Sequence, residues 1–259
     1  MTKFRGKVIE TCEKCGKPKK IEVVFFNKPK VVDCACDCVK AEKEAERCRM
    51  AEKERQAEMM RLRKVGFPDR EMAKFTFDMD DGANPALSEI ARRYVKNFDK
   101  IYAEGKGLLM YGGVGGGKSF MAACIANELI KNGRSCLMTN FARISNELSA
   151  SFDGRQEYID NLNRFSLLII DDLAAERDTE YMGEIVQEVI DSRYRCGKPL
   201  IVTTNLTGEE LNNPKSIRRE RIISRLFEMC FAVKVDHGDR RRVEKFKENR
   251  QKRIELLGM

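Results

Sequence analysis

The chain has 259 residues, 42% of them hydrophobic and 35% charged, enough apolar mass for one large domain or for a medium domain plus a small one. Its net charge of +8 is unevenly placed: residues 215–259 carry 14 Lys/Arg against 7 Asp/Glu, and such clustering makes nucleic acid the leading partner class. No run approaches 18 apolar residues and the opening MTKFRGKVIE lacks an apolar signal core, so the composition argues against a membrane span or secretion and places the ten cysteines in a reducing cytoplasm, as ligands or core residues rather than disulfides.

Residues 1–38 read as a separate module. Cys12-Glu-Lys-Cys15-Gly16 comes first, and eighteen residues separate Cys15 from Cys34-Ala-Cys36-Asp-Cys38. Thiolates this close together, with no histidine nearby, suit tetrahedral Zn²⁺. Cys12 and Cys15 form one pair, and two of Cys34, Cys36 and Cys38 complete the set; the C-x-C-x-C spacing leaves open which two. Ile21 to Phe26 and Lys30 to Val32 are expected to pair as a hairpin. A module this small has too little core to fold unaided, so a metal supplies the missing stability. The remaining cysteines are scattered and read as core or helix-face filler.

Val39 to Lys64 is rich in Ala, Glu, Lys, Arg and Met and lacks Gly and Pro, which predicts a continuous charged helix over the segment 39–66, closed by Gly66-Phe67-Pro68. The region 67–259 reads as one domain. Ala86 to Glu104 is predicted as an amphipathic helix, and Leu108 to Tyr111 as a short buried strand.

That strand runs into Gly112-Gly113-Val114-Gly115-Gly116-Gly117-Lys118-Ser119-Phe120, which satisfies G-x-x-x-x-G-K-[ST] between a strand and an alanine-rich helix. The glycines let several N–H groups point at phosphates without a Cβ in the way, and the helix start adds its N–H groups and positive dipole end. Lys118 is expected on the β- and γ-phosphates of ATP and the Ser119 hydroxyl on Mg²⁺.

Ser135 to Thr139 is strand-like. Asn140 to Phe152 is helix-like, with Phe141, Ile144, Leu148 and Phe152 on one face. Tyr158 to Arg164 is expected only to carry the chain onward. Leu167 to Ile170 then forms a strand that ends in Asp171-Asp172, a Walker B pattern about fifty residues after the P-loop. Asp171 is the metal residue. Asp172 stands where a catalytic base or water-orienting group belongs, with Glu176 as the alternative. Tyr181 to Tyr194 is a helix, and Leu200 to Thr204 a buried strand whose tip, Asn205, is in reach of a γ-phosphate or its attacking water. Ser216 to Cys230 is a basic helix, Phe231 to Val235 an edge strand, and Gly238-Asp-Arg-Arg-Arg242 leads into a basic terminal helix. Strands alternating with helices imply an α/β fold with a parallel, doubly wound sheet, its ligands gathered at the carboxyl ends of the strands.

GGVGGGKS, LLIIDDLAAE, IVTTN, RIISRLFEM and GDRRR, in that order over about Phe75 to Arg242, resemble an AAA+ ATPase of the bacterial replicative-helicase loader group (the DnaC/DnaI type), related to the IstB-like ATPases of transposons. The cysteine module and charged helix are similar to those of Gram-positive and phage-type loaders. The resemblance implies that Asn205 is the sensor-1 residue, Arg225 an arginine finger acting on a neighbouring subunit, and Arg242 the sensor-2 arginine, within a spelling that departs from the family's. It implies that the Asn140–Phe152 helix meets single-stranded DNA, with Phe141 and Arg143 as stacking and phosphate contacts. Asp172 replaces the glutamate of many relatives, which implies slow turnover or a different base.

The expected function is therefore an ATP-dependent loader. It binds a hexameric replicative ring helicase through the zinc module, self-associates with ATP/ADP and Mg²⁺ at its sites, and grips single-stranded DNA. A transposition ATPase acting with a transposase, and a zinc-containing ATP-binding adaptor with little turnover, are the alternatives.

Overall fold

A computed structural model describes residues 6–34, 36–150, 154–174 and 179–235, which divide into two units, 1–58 and 59–259. In the first, β1 (Lys7–Thr11), β2 (Pro18–Phe25) and β3 (Lys28–Asp33) form an antiparallel sheet in the order β1-β2-β3. The expected hairpin is β2–β3, with Phe25 opposite Lys28 and Val23 opposite Lys30. Its turn holds Phe26 and Asn27 in left-handed backbone. The strand β1, with bulges on either side of Glu10, was not read from the sequence.

The helix α1 (Asp37–Gly66) runs through the boundary between the units. Its exposed turns carry charge pairs such as Glu52–Arg55, whereas Leu62 near its end is buried in the core of the second unit.

The predicted Ala86–Glu104 helix is broken in two: α2 (Pro85–Lys96) and α3 (Phe98–Ala103). Asn84 caps α2 by accepting the Leu87 N–H at 3.1 Å. Asn97 ends it, donating its side-chain amide to the Arg93 carbonyl at 3.0 Å, and the redirected chain sends Phe98 into the core beside Tyr94.

The second unit is built on β4 (Gly107–Tyr111), β5 (Cys136–Thr139), β6 (Leu167–Leu173), β7 (Leu200–Thr204) and β8 (Cys230–Lys234), all parallel, in the order β5-β6-β7-β4-β8. Between them run α4 (Lys118–Lys131), α5 (Phe141–Ala150), α6 (Arg155–Arg164), α7 (Glu180–Arg195), α8 (Gly208–Asn212) and α9 (Ile217–Met229). The segment expected only to carry the chain onward is thus the helix α6, which buries Ile159 and Leu162; α8 starts with a Thr207/Glu210 capping box.

Because both faces of a parallel sheet are covered, its strands read as continuous apolar runs. Leu108, Met110, Leu167 and Ile169 pack on one face with the alanines of α4, and Leu109, Leu168, Ile170 and Val202 on the other with α5, α7 and α9. Below the sheet the fully buried Arg193 ties three chain segments together, donating to the carbonyls of Pro199 (2.7 Å), Phe165 (3.0 Å) and Ser166 (3.1 Å). No helix among the described residues is long and apolar enough to cross a membrane.

Candidate functional site

The strand order puts β7 at the middle, with β4 on one side of it and β6 on the other, so the P-loop, Asn205 and the paired acids open at one end of the sheet. There a cavity of about 420 Å³ is lined by Val114 to Phe120, Asp172 and Asn205, and on its apolar side by Met72, Phe75 and Met79. Gly112 and Gly117 adopt positive φ. A Cβ on Gly112 would stand 2.6 Å from the Val235 carbonyl oxygen, so only glycine lets β4 turn into the loop there. The α4 N-terminus begins at Lys118, and loop N–H groups with this helix end make a phosphate cradle. Lys118 is 5% exposed, and its ammonium donates to the carbonyls of Gly113 (2.7 Å) and Gly112 (2.9 Å).

The two acids part at the end of β6. Asp171 accepts a hydrogen bond from the Thr203 hydroxyl at 2.6 Å, while Asp172 lines the cavity and accepts one from the Asn205 amide at 3.2 Å. The apolar wall is held in place by Asn127 of α4, whose amide donates to the carbonyls of Phe75 (2.9 Å) and Met72 (3.1 Å). The Phe75 ring lies 5.2 Å from that of Phe120. Asn127 was missed by the sequence reading; a polar residue amid the alanines of a buried helix was the signal.

In the first unit the sulfurs of Cys12, Cys15, Cys36 and Cys38 lie within 4.8 Å of one another. Four thiols at this spacing fit a tetrahedral zinc site, in which Zn–S distances are about 2.3 Å. Of the three cysteines that the spacing left open, Cys36 and Cys38 join Cys12 and Cys15, and Cys34 stands outside the cluster: it immediately follows β3, and its N–H is drawn to the Lys19 carbonyl at 2.7 Å. Backbone N–H groups of Cys15 and Lys14, and then the Cys36 thiol, lower the Cys12 thiol to about 7, toward the thiolate that a metal needs. Burial pushes Cys124 and Cys136 the other way, to about 12, as befits core residues.

Residues 37–248 match the family model of IstB-like ATP binding proteins. The chain belongs to this family. Cys12, Cys15 and Cys36 precede the matched segment. This IstB-like chain is 29% identical over 150 residues to the replicative helicase loader DnaC of Escherichia coli K12, covering 56% of this chain and 58% of that one. It is 26% identical over 203 residues to the replicative helicase loader DnaI of Bacillus subtilis, covering 73% and 65%. It thus spans about six-tenths of the length of these relatives. A crystal structure of DnaI superposes with a TM-score of 0.57 at 24% identity, covering 70% of this chain and 99% of that one. AMPPCP-bound DnaA from Aquifex aeolicus does so at 0.52 and 18%, covering 69% and 55%. The fold is that of an AAA+ P-loop NTPase.

The remaining sequence-predicted residues are dispersed. Arg225 of the IstB-like chain lies on α9, ion-paired with Asp191 and with its guanidinium 4.6 Å from the Tyr194 ring centroid, away from the chain's own nucleotide cavity. Arg143 is exposed on α5. Phe141 is 2% exposed and packs in the core with Ile144 and Leu148, so it presents no stacking surface: the helical face that buries those residues buries it too. Glu176 and Arg242 lie outside the described residues.

Proposed function

We propose that this chain is an ATP-dependent loader that binds a hexameric replicative DNA helicase and delivers it onto single-stranded DNA. The observation that carries the reading is the joining of the P-loop, Asp172 and Asn205 around one cavity in a chain similar to two named helicase loaders. In this reading Gly112 to Phe120 cradle the ATP phosphates, Lys118 leaves its loop carbonyls for the β- and γ-oxygens, and Met72 and Phe75 contact the base. Ser119 and Asp171 would hold Mg²⁺, which would supply positive charge to offset that of the phosphates. Asp172 and Asn205 orient the attacking water, with Glu176 as the other candidate base.

Turnover is weak in the isolated chain and is stimulated by DNA, partner and self-association. Arg225 packs away from its own cavity and serves a neighbour's, as a finger supplied in trans, and Arg242 contacts the nucleotide as the sensor-2 arginine.

The module bound to zinc by Cys12, Cys15, Cys36 and Cys38 is the helicase-docking head. Its support is the sheet face bearing Val8, Ile21, Val23, Phe25 and Val32 beside Lys19, Lys28 and Lys30, on which Phe25 is 63% exposed. Such an apolar, basic surface suits a protein partner. Arg143 and the basic C-terminal segment grip single-stranded DNA.

The test incubates the full-length chain with the replicative ring helicase of the same genome and circular single-stranded DNA. Helicase is expected on the circle only with ATP, and the Lys118→Ala variant fails both to bind ATP and to load. Binding to a transposase in place of the helicase would overturn the loader reading in favour of a transposition ATPase.

A further inference from the structure

Pairing between β6 and β7 is regular through Ile170 opposite Val202 and resumes with Leu173 opposite Thr204. One residue too many on β6 therefore lies across from Thr203: Asp171 and Asp172 share a bulge. A bulge re-aims side chains, and here it gives two adjacent acids different directions. Asp172 has φ +56 and Ala174 φ +72, left-handed conformations that cost residues other than glycine about 1 kcal/mol or more. Surrounding bonds must hold them.

Those bonds come from consecutive β7 side chains. The Thr203 hydroxyl accepts the Asp172 N–H at 2.9 Å and donates its own hydrogen to Asp171 Oδ1 at 2.6 Å. The Thr204 hydroxyl donates to the Leu173 carbonyl at 2.7 Å, and Asn205 reaches Asp172 at 3.2 Å. Thr203 is fully buried. Its hydroxyl touches both acids' residues, as acceptor from one backbone and donor to the other carboxylate. An apolar side chain of the same shape performs neither task and leaves the Asp172 N–H in want of a partner.

We propose that Thr203 is the positioning residue of this site, dividing the paired acids into a metal ligand, Asp171, and a cavity-facing group, Asp172. The proposal rests on the ATP and Mg²⁺ reading above. Thr203 touches neither nucleotide nor metal; it acts by fixing the Asp171 carboxylate plane and the bend that turns Asp172 toward Asn205.

The test compares Thr203→Val, which keeps the shape, with Thr203→Ser, which keeps the hydroxyl. ATP affinity is measured with and without Mg²⁺, together with partner-stimulated turnover. A hydrogen bond to a charged group implies that Thr203→Val loses about tenfold of the Mg²⁺-dependent gain in affinity and at least as much in kcat, with Mg²⁺-free affinity near that of the parent and Tm lower by only about 2–6 °C. Thr203→Ser is expected to retain both within about threefold. A generally loosened fold would lower Mg²⁺-free affinity equally, so the split between the two conditions separates positioning from structure. If Thr203→Val fails to fold, Thr203→Cys, whose thiol is a poor donor, takes its place. Parent-like Mg²⁺ linkage in either folded variant, or a serine variant as impaired as the valine one, overturns the assignment. A parent chain that does not bind ATP at all refutes the nucleotide reading instead, and the Thr203 role with it.

Discussion

The two units of this chain use apolar residues in opposite ways. In residues 59–235 the strands β4 to β7 are buried on both faces and two hydrophobic clusters, one on each side of the sheet, hold the fold. In the first unit the buried hydrophobic residues among those described are Cys12 and Cys36 alone, while Val8, Ile9, Val24, Phe25, Phe26 and Val31 face solvent. Ordering a backbone costs about 1–2 kcal/mol per residue, which two buried thiols cannot offset. The exposed charge pairs of the module, Lys14–Glu42 and Lys17–Asp37, add little, since solvent screens them and holding two long side chains together costs entropy. One unit is thus held by burial, whereas the other brings four thiols together and leaves its apolar residues in solvent.

The largest effect that tests this contrast is metal removal. Cys12→Ser with Cys15→Ser, or a strong chelator, is expected to unfold the first unit, since structural zinc contributes on the order of 10 kcal/mol in small metal-folded peptides. Metal analysis and limited proteolysis would show zinc lost and residues 1–58 cleaved, with ATP binding intact. A protease-resistant, zinc-free module would break the comparison.

Next come two changes in the burial-held unit. Phe141→Ala is expected to cost about 3–5 kcal/mol in denaturant unfolding, as deletion of a buried ring does. Arg193→Met, which strands the carbonyls of Phe165, Ser166 and Pro199, is expected to cost about 3 kcal/mol. A loss under 1 kcal/mol in either would mean that the interior around that residue is looser than its packing implies. Arg143→Ala, on the exposed side of α5, should leave stability alone and lower the salt dependence of single-stranded DNA binding by about one unit of slope; an unchanged slope removes Arg143 from the DNA surface. The smallest effect belongs to Cys34→Ser, with parent zinc content and stability within about 0.5 kcal/mol. Loss of zinc there would return Cys34 to the ligand set.

Legibility followed the range of the interactions. The P-loop, the acidic end of β6 and Asn205 were readable because each depends on a few contiguous residues whose geometry is local. The helical face of α5 was readable too, yet Phe141 was counted both in its apolar row and as a DNA contact. Only packing against the sheet decides between the two, and it buries the ring. The break at Asn97 was hidden because the apolar period continues across it.

Sequence alone determined that this chain holds a nucleotide-type glycine loop, an α/β alternation, and a cysteine module with too little core to stand without a ligand. These follow from residue type at short spacing. Tertiary structure decided that β7 lies between the P-loop strand and the acidic strand, that Thr203 meets a bulge at Asp171 and Asp172, that Asn127 anchors the apolar wall, and that Cys34 is left out of the thiol cluster. Each of these depends on which distant segments pair and in what register, and a one-dimensional period carries no information about that.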